Sequence, residues 1–436
     1  MIKEILLTLF YLFFFNFLIY RFKKFQFKAF KPFITHLLFN LKFVVGIFIW
    51  FIYTFYYKDM QNNDVHKFYK DALVLHEMKA KSADAFWYKM VLGDGFCCEE
   101  GGISHKLKNW NRNFDEAPFN ENRTIIRLNA LLMFVSFKTY FVHILFFCFF
   151  SLIGWVLLTN SILGFADARN SILALPVLLL PSVLFWTSGV MKEPLLVLGL
   201  GLFISSLLAT HYSLLSIAKL VCGLIIILFT KFFVLACLVP ALIAFLLFRK
   251  NEKSIFIWLK YIAVNVVLLL AALNIHYIVP RINLQQMLLN KQTHSVKEAE
   301  YFKAGSRIEI PSLTTDVLSV LKTAPVGIWN TLVRPYVSEA KNVMMLMSAV
   351  ENFFILSFLI TCLTFINWRK TENLNLFLFL LTFSLAYFAL VGMCTPVLGN
   401  LVRYKTPLFP MFMFAFLIRI SPHYVSDSLS FVLREK

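Results

Sequence analysis

The sequence predicts an all-α, polytopic integral membrane protein of about 11 transmembrane helices, and three observations carry that prediction. Hydrophobic residues make up 59% of the 436-residue chain and charged residues only 15%, where an ordinary soluble domain carries about a quarter charged. Mean hydropathy is +0.72. The apolar stretches are continuous and not alternating, which excludes a barrel, and in lipid only helices or closed barrels satisfy the backbone.

A hydrocarbon core of about 30 Å needs roughly 20 apolar residues per helix. Runs of that kind lie at 4–20, 34–57, 138–158, 171–189, 194–210, 214–230, 232–248, 254–275, 345–366, 375–393 and 406–420. They form a single transmembrane domain over 1–436. The first run is followed by Tyr20-Arg-Phe-Lys-Lys and not by small residues, so it reads as a helix of the mature protein and not as a cleaved signal.

Basic links fix the orientation. Arg21, Lys23, Lys24, Lys28 and Lys31 lie between the first two runs, and Arg249-Lys-Asn-Glu-Lys253 and Arg369-Lys370 follow later ones. Counting through the runs puts all three on one side, which is the cytoplasm. The amino terminus then lies outside and the carboxyl terminus inside; Lys3 runs against that rule, so a first helix that re-enters the membrane is the alternative. The net charge of +18 follows mostly from these anchors, with recognition of anionic membrane lipids as a second source. Nucleic acid is excluded as a partner, because the basic residues are dispersed and not interleaved with exposed aromatics.

Two long loops, 58–123 and 276–344, fall on the exoplasmic side. In the first, Val65, Phe68, Tyr69, Ala72 and Leu73 recur at helical spacing, predicting an amphipathic helix on the membrane surface with Asp64 at its N-cap position. Asp64 is then either a helix cap or a working carboxylate. A second interfacial helix is predicted over 123–135. Cys97 and Cys98 lack metal-ligand spacing, and Cys148, Cys222, Cys237 and Cys362 sit in apolar runs, so no disulfide framework and no metal site is assigned.

Charges at membrane depth are costly unless paired or wetted. Between two apolar runs, Pro181-Ser-Val-Leu-Phe-Trp-Thr-Ser-Gly-Val-Met-Lys-Glu-Pro194 sets Lys192 and Glu193 at the brink of a helix, behind Trp186. They read either as a helix-edge ion pair or as one wall of a cavity. Arg334 stands just before the ninth run, and Glu351-Asn352 lies inside it, serving a wet cavity or gluing helices together. Arg403, Tyr404 and Lys405 precede the last run; Arg and Lys together suit a phosphate, while snorkelling to headgroups is the alternative for Lys405. Counting places Asp64, Lys192, Glu193, Arg334, Glu351, Arg403 and Lys405 at one face, which suits an anionic, membrane-embedded substrate.

With these residues in hand, the chain resembles the type C membrane glycosyltransferase superfamily, which uses polyprenyl-phosphate-linked sugars. The likeness lies in the acidic first loop, the Pro-rich segment from Pro181 to Glu193 and the Arg403-Tyr404…Pro407…Pro410 entry into the final helix. It is also similar to membrane proteins of bacterial surface-polysaccharide loci, through Phe185–Glu193, Arg334-Pro335 and Glu351-Asn352. It departs from the superfamily at Asn62-Asn63-Asp64, where paired acids are common, leaving Asp71 and Glu77 as substitutes.

The resemblance implies a bacterial cytoplasmic-membrane enzyme that moves a sugar from a lipid-linked donor to an acceptor at the exoplasmic face, in polysaccharide or glycolipid assembly beside other assembly proteins. Asp64 would activate the acceptor hydroxyl. Lys192, Glu193, Arg334, Arg403, Tyr404 and Lys405 would bind donor and phosphate, with Trp186, Glu351 and Asn352 lining the cavity. A divalent cation is compatible with this chemistry, and nothing in the sequence indicates one. A repeat-unit polymerase, leaning on Arg334 and Arg403, is the alternative, and a lipid-linked oligosaccharide flippase or transporter is a third reading. The transporter reading lacks internal repeats, and no Gly-rich nucleotide loop is present.

Overall fold

The computed structural model describes residues 2–57, 63–93, 106–111, 120–249, 256–368, 371–420 and 433. Cys97-Cys98, Asn62, most of the Arg249–Lys253 link, Arg369-Lys370 and the carboxyl-terminal Arg434-Glu-Lys lie outside them. The described chain is helical, with two isolated bridges, Arg307 to Val397 and Ile366 to Ile420, in place of strands.

In chain order the helices are α1 (Ile2–Arg21), α2 (Pro32–Phe51), α3 (Asp64–Lys81), α4 (Ala83–Val91), α5 (Glu121–Ser136), α6 (Tyr140–Ile162), α7 (Ala174–Leu178), α8 (Pro181–Trp186) and α9 (Lys192–Leu207). They continue as α10 (Leu214–Thr230), α11 (Phe232–Leu247), α12 (Ile257–Leu273), α13 (Leu284–Tyr301), α14 (Val317–Val333), α15 (Val343–Phe365), α16 (Leu374–Cys394), α17 (Leu398–Lys405) and α18 (Phe409–Leu417).

Among the described residues, five helical stretches are long and apolar enough to cross a membrane: Ile2–Arg21, Pro32–Tyr56, Tyr140–Phe165, Val343–Phe365 and Leu374–Cys394. The expected eleven differ from this in specific places. The run 171–189 is broken into a 3-10 turn (Asn170–Leu173), α7 and α8. Pro181 supplies no N–H and disfavours helical conformation at the residue before it, and here the run breaks ahead of it. The run 406–420 shrinks to α18, nine residues long. Helices α9 to α12, of 16–17 residues, reach roughly 24–26 Å at about 1.5 Å per residue. Inside the expected loop 276–344 lies α14, an apolar helix of 17 residues that Lys322 and Pro325 disguise in the sequence.

Contacts gather the chain into two compact units, one from the described residues of Met1–Asn113, Pro118–Leu157 and Leu184–Lys231, the other from those of Leu158–Val183 and Phe232–Lys436. In the first, Val65, Phe68, Tyr69, Ala72 and Leu75 form the buried stripe of α3, while Leu73 is half-buried. That stripe packs on α5, the interfacial helix expected at 123–135, so α3 turns its apolar face to protein. Close helix approach depends on glycine. A Cβ at Gly154 of α6 would strike the Val197 backbone of α9, and one at Gly223 of α10 would strike the Gly199 and Phe203 backbones.

The second unit is built on α16, most of whose residues are buried, with α11, α14 and α18 around it. Gly327 of α14 and Gly392 of α16 let the two backbones touch: a side chain on Gly392 would collide with the Gly327 main chain, and one on Gly327 with the Ala389 carbonyl of α16. Gln292 of α13 ties the edge down, donating to the Pro311 and Met393 carbonyls and accepting from the Leu313 N–H.

Candidate functional site

The charges read from the sequence fall into two groups, one in each unit. Trp186, Asp64, Lys192 and Glu193 belong to the first; Arg334, Glu351, Asn352, Arg403, Tyr404 and Lys405 belong to the second.

In the first unit, α9 starts at Lys192 after the extended residue Met191, without a side-chain cap. Lys192 is nearly buried and ion-paired to Glu121 at the head of α5, 3.2 Å away, with its ammonium over the Phe68 ring. Glu193 is fully buried and pairs with Lys231 at 3.5 Å. Neighbours in sequence, the two do not pair with each other. Each ties α9 to a different element, an interhelical role of the kind polar residues commonly take in membranes. Trp186 packs with Phe185 against the cluster of Ile49, Val65 and Met191.

Asp64 is the first residue inside α3 and not its cap; Asn63 caps, accepting from the His66 N–H. Asn outranks Asp in this position only by its place in the chain, since either side chain caps well. Asp64 makes an ion pair with Lys67 one turn on. Asp71 is buried and accepts the Asn109 N–H at 2.7 Å; burial pushes its carboxyl up, and the Asn109 bonds oppose that. Glu77 is exposed and lies 3.5 Å from Lys138. His66 is held by burial well below its ordinary value, to about 4, with Lys70 adding to the effect, and its Nε2 lies 3.0 Å from Thr54 Oγ1.

The second unit assembles its residues more tightly. Glu351, on α15, accepts the Ser182 hydroxyl at 2.6 Å and the Ser182 N–H at 2.9 Å, so it caps the start of α8. The next residue, Asn352, accepts from Lys405 Nζ at 2.9 Å while its amide donates to the Val333 carbonyl. Lys405 also donates to the Arg334 carbonyl at 3.3 Å. Lys405 is 3% exposed and, among the described residues, forms no ion pair with a carboxylate. Burial draws its amine down from 10.5 to about 8, against the pull of Glu351.

Arg403 is buried two residues earlier on α17, and the Tyr404 carbonyl accepts from Tyr387. Arg334 precedes a cis proline, Pro335; its guanidinium lies over the Tyr336 ring and 3.4 Å from Glu339. A buried cation held by neutral oxygens keeps its field available to an incoming anion, which an ion pair does not.

Partners that the sequence reading missed are Glu121, Lys231 and Ser182. Lys231 shows in the sequence as the lone charge between two apolar runs, whereas Glu121 and Ser182 carry no local signal. Among the described residues no group of His, Cys, Asp and Glu could hold a metal ion, and Cys148, Cys222, Cys237, Cys362 and Cys394 are free thiols. No protein-family profile, curated protein or solved structure matches this chain. The fold and site define a helical membrane protein with buried, unevenly compensated cations.

Proposed function

We propose that the chain is a membrane glycosyltransferase of about 11 membrane-crossing or membrane-embedded helices, moving a sugar from a polyprenyl-phosphate-linked donor to an acceptor at the exoplasmic face of a bacterial inner membrane. The observation that carries the reading is Lys405, buried, cationic near neutral pH and held, among the described residues, by Asn352 and the Arg334 carbonyl. As the bond to the anomeric carbon breaks, negative charge grows on the departing lipid phosphate. A fixed cation aimed at that charge lowers the barrier without reorganising. Arg403 lies two residues before Lys405 on α17 with Tyr404 between them, and the Arg334 carbonyl accepts from the Lys405 ammonium; Asn352 holds that ammonium from α15. In the first unit, Lys192 and Glu193 serve to brace α9.

One observation favours the repeat-unit polymerase as a second reading: Asp64 is ion-paired with Lys67, which weakens it as a base and shifts weight to Arg334 and Arg403. Both readings are tested by lipid-linked and surface glycan profiles from cells carrying Lys405→Met, Arg403→Ala or Asp64→Asn, read by mass spectrometry. Accumulated sugar-loaded carrier supports transfer, and unpolymerised repeat units support the polymerase. Unchanged glycans in Lys405→Met and Arg403→Ala, at normal expression, would remove both.

A further inference from the structure

The turn over residues 187–191 separates α8 from α9, and every residue in it is buried. Three of its carbonyls are served: Ser151 Oγ donates to that of Thr187 at 2.7 Å, Cys148 Sγ to that of Ser188 at 3.2 Å and the Met191 N–H to that of Gly189 at 2.8 Å. Its donors are not. Among the described residues nothing accepts the N–H of Gly189 or of Val190. Buried backbone N–H groups almost always have an acceptor, so two in succession without one mark a place where an acceptor is missing.

The same turn is touched by a second oddity. Lys42 is 2% exposed within the apolar span Pro32–Tyr56, and its ammonium donates to Thr187 Oγ1 at 2.5 Å. That hydroxyl is its one hydrogen-bond partner among the described residues, which pair no carboxylate with it. An ammonium carries three N–H groups, so two are left over. The carboxylates near the start of α9 are already engaged, Glu121 by Lys192 and Glu193 by Lys231. The uncapped amino end of α9, a 16-residue helix, adds its positive dipole. Cation, spare amides and helix end are all donors, and what they lack is an anion.

We propose that the 187–191 turn is an intramembrane site for a compact phosphate-class oxyanion, bound by Lys42 Nζ and the amides of Gly189 and Val190. This stands apart from the glycosyl-transfer reading and survives its failure. The sequence fits the role at two glycines. Gly46, one turn after Lys42, lets α2 approach the Ser188 carbonyl, and Gly189 is covered by the mobile methyl end of Met191 and by Ile49, both able to yield to a ligand.

The test uses the full chain in maltoside micelles stripped of phospholipid. Its thermal unfolding is followed with inorganic phosphate against chloride at matched ionic strength, and with added phosphatidate against phosphatidylcholine. Phosphate raising the midpoint by several degrees assigns a free anion; a rise with phosphatidate alone assigns a lipid phosphomonoester. Either supports the site if Lys42→Met abolishes the rise and, with no anion present, unfolds at a higher temperature than the parent. Should Lys42→Met fail to fold, Lys42→Gln takes its place, with apparent affinity expected to fall about tenfold or more as the charge-assisted bond is lost. No shift with either anion, or an equal shift in parent and variant, overturns the proposal.

Discussion

In the first unit Lys192 and Lys231 each face a glutamate, Glu121 at 3.2 Å and Glu193 at 3.5 Å, whereas in the second Lys405 faces the neutral oxygens of Asn352 and of the Arg334 backbone. All of these cations lie in surroundings that penalise charge, yet the two arrangements have opposite consequences. A matched pair cancels its own field and resists the removal of either member. A cation held by neutral groups contributes little to holding the fold and keeps its field for a ligand. Compensation therefore separates the brace from the candidate binding group, which residue type alone does not.

The sharpest way to break this comparison is to remove one member from each arrangement. Lys231→Met leaves the fully buried Glu193 without its cation, and should cost about 3–5 kcal/mol in thermal or denaturant unfolding of the purified chain. Lys405→Met removes a buried charge whose partners are neutral. Its unfolding midpoint should hold or rise, while the proposed sugar transfer falls by about 10²-fold or more, as when a transition-state donor is lost. If the two variants lose stability equally, the distinction between brace and binding group is gone.

A pH series sharpens the same point. Lys405 has a folded value near 8, below its ordinary 10.5. Its charge is thus lost first in the folded state as pH rises. Between those values the unfolded chain holds more protons, so stability should increase with pH across that window, while below about 8 the burial penalty is present in full. Phosphate binding should run the other way, weakening as pH rises through about 8. Lys405→Arg, which keeps its charge, should move that falling limb to higher pH, and an unchanged limb in this variant assigns the titration to another group.

Smaller effects are expected where a bond is one of several. Ser182→Ala removes the hydroxyl from Glu351 but leaves the backbone N–H, so a loss of about 1 kcal/mol in stability should follow. Asp64→Asn loses an ion pair within one helix and should cost no more than about 0.5 kcal/mol; a larger loss of transfer than of stability would restore Asp64 as the base.

Much of this was legible before any coordinates. Continuous apolar runs marked the five long stretches, and helical spacing marked α3 and α5, because burial in protein or lipid imposes the same periodicity. Three things were not legible. Prolines at 176 and 181 turned one long run into short pieces, and whether a proline ends a helix or merely bends it depends on neighbours the sequence does not identify. Lys322 and Pro325 made α14 look like loop, although its cost is met by α16, distant in the chain. Charge pairing was hidden for the same reason: Lys192 and Glu193 are adjacent, yet their partners at 121 and 231 come from elsewhere. Sidedness read by counting runs cannot separate the two groups of charges that the contacts assign to different units.

The backbone contact between Gly327 and Gly392 bears on how the protein is made. Helix α14 leaves the ribosome before α16 exists, carrying a lysine and a proline and missing the surface on which its glycine packs. It must therefore wait, held at the insertion machinery or lodged at the membrane boundary, until α16 follows and receives it. Biogenesis of the second unit is then a late, paired event, and a truncation after α15 should leave α14 open to proteolysis or quality control even though its own residues are intact.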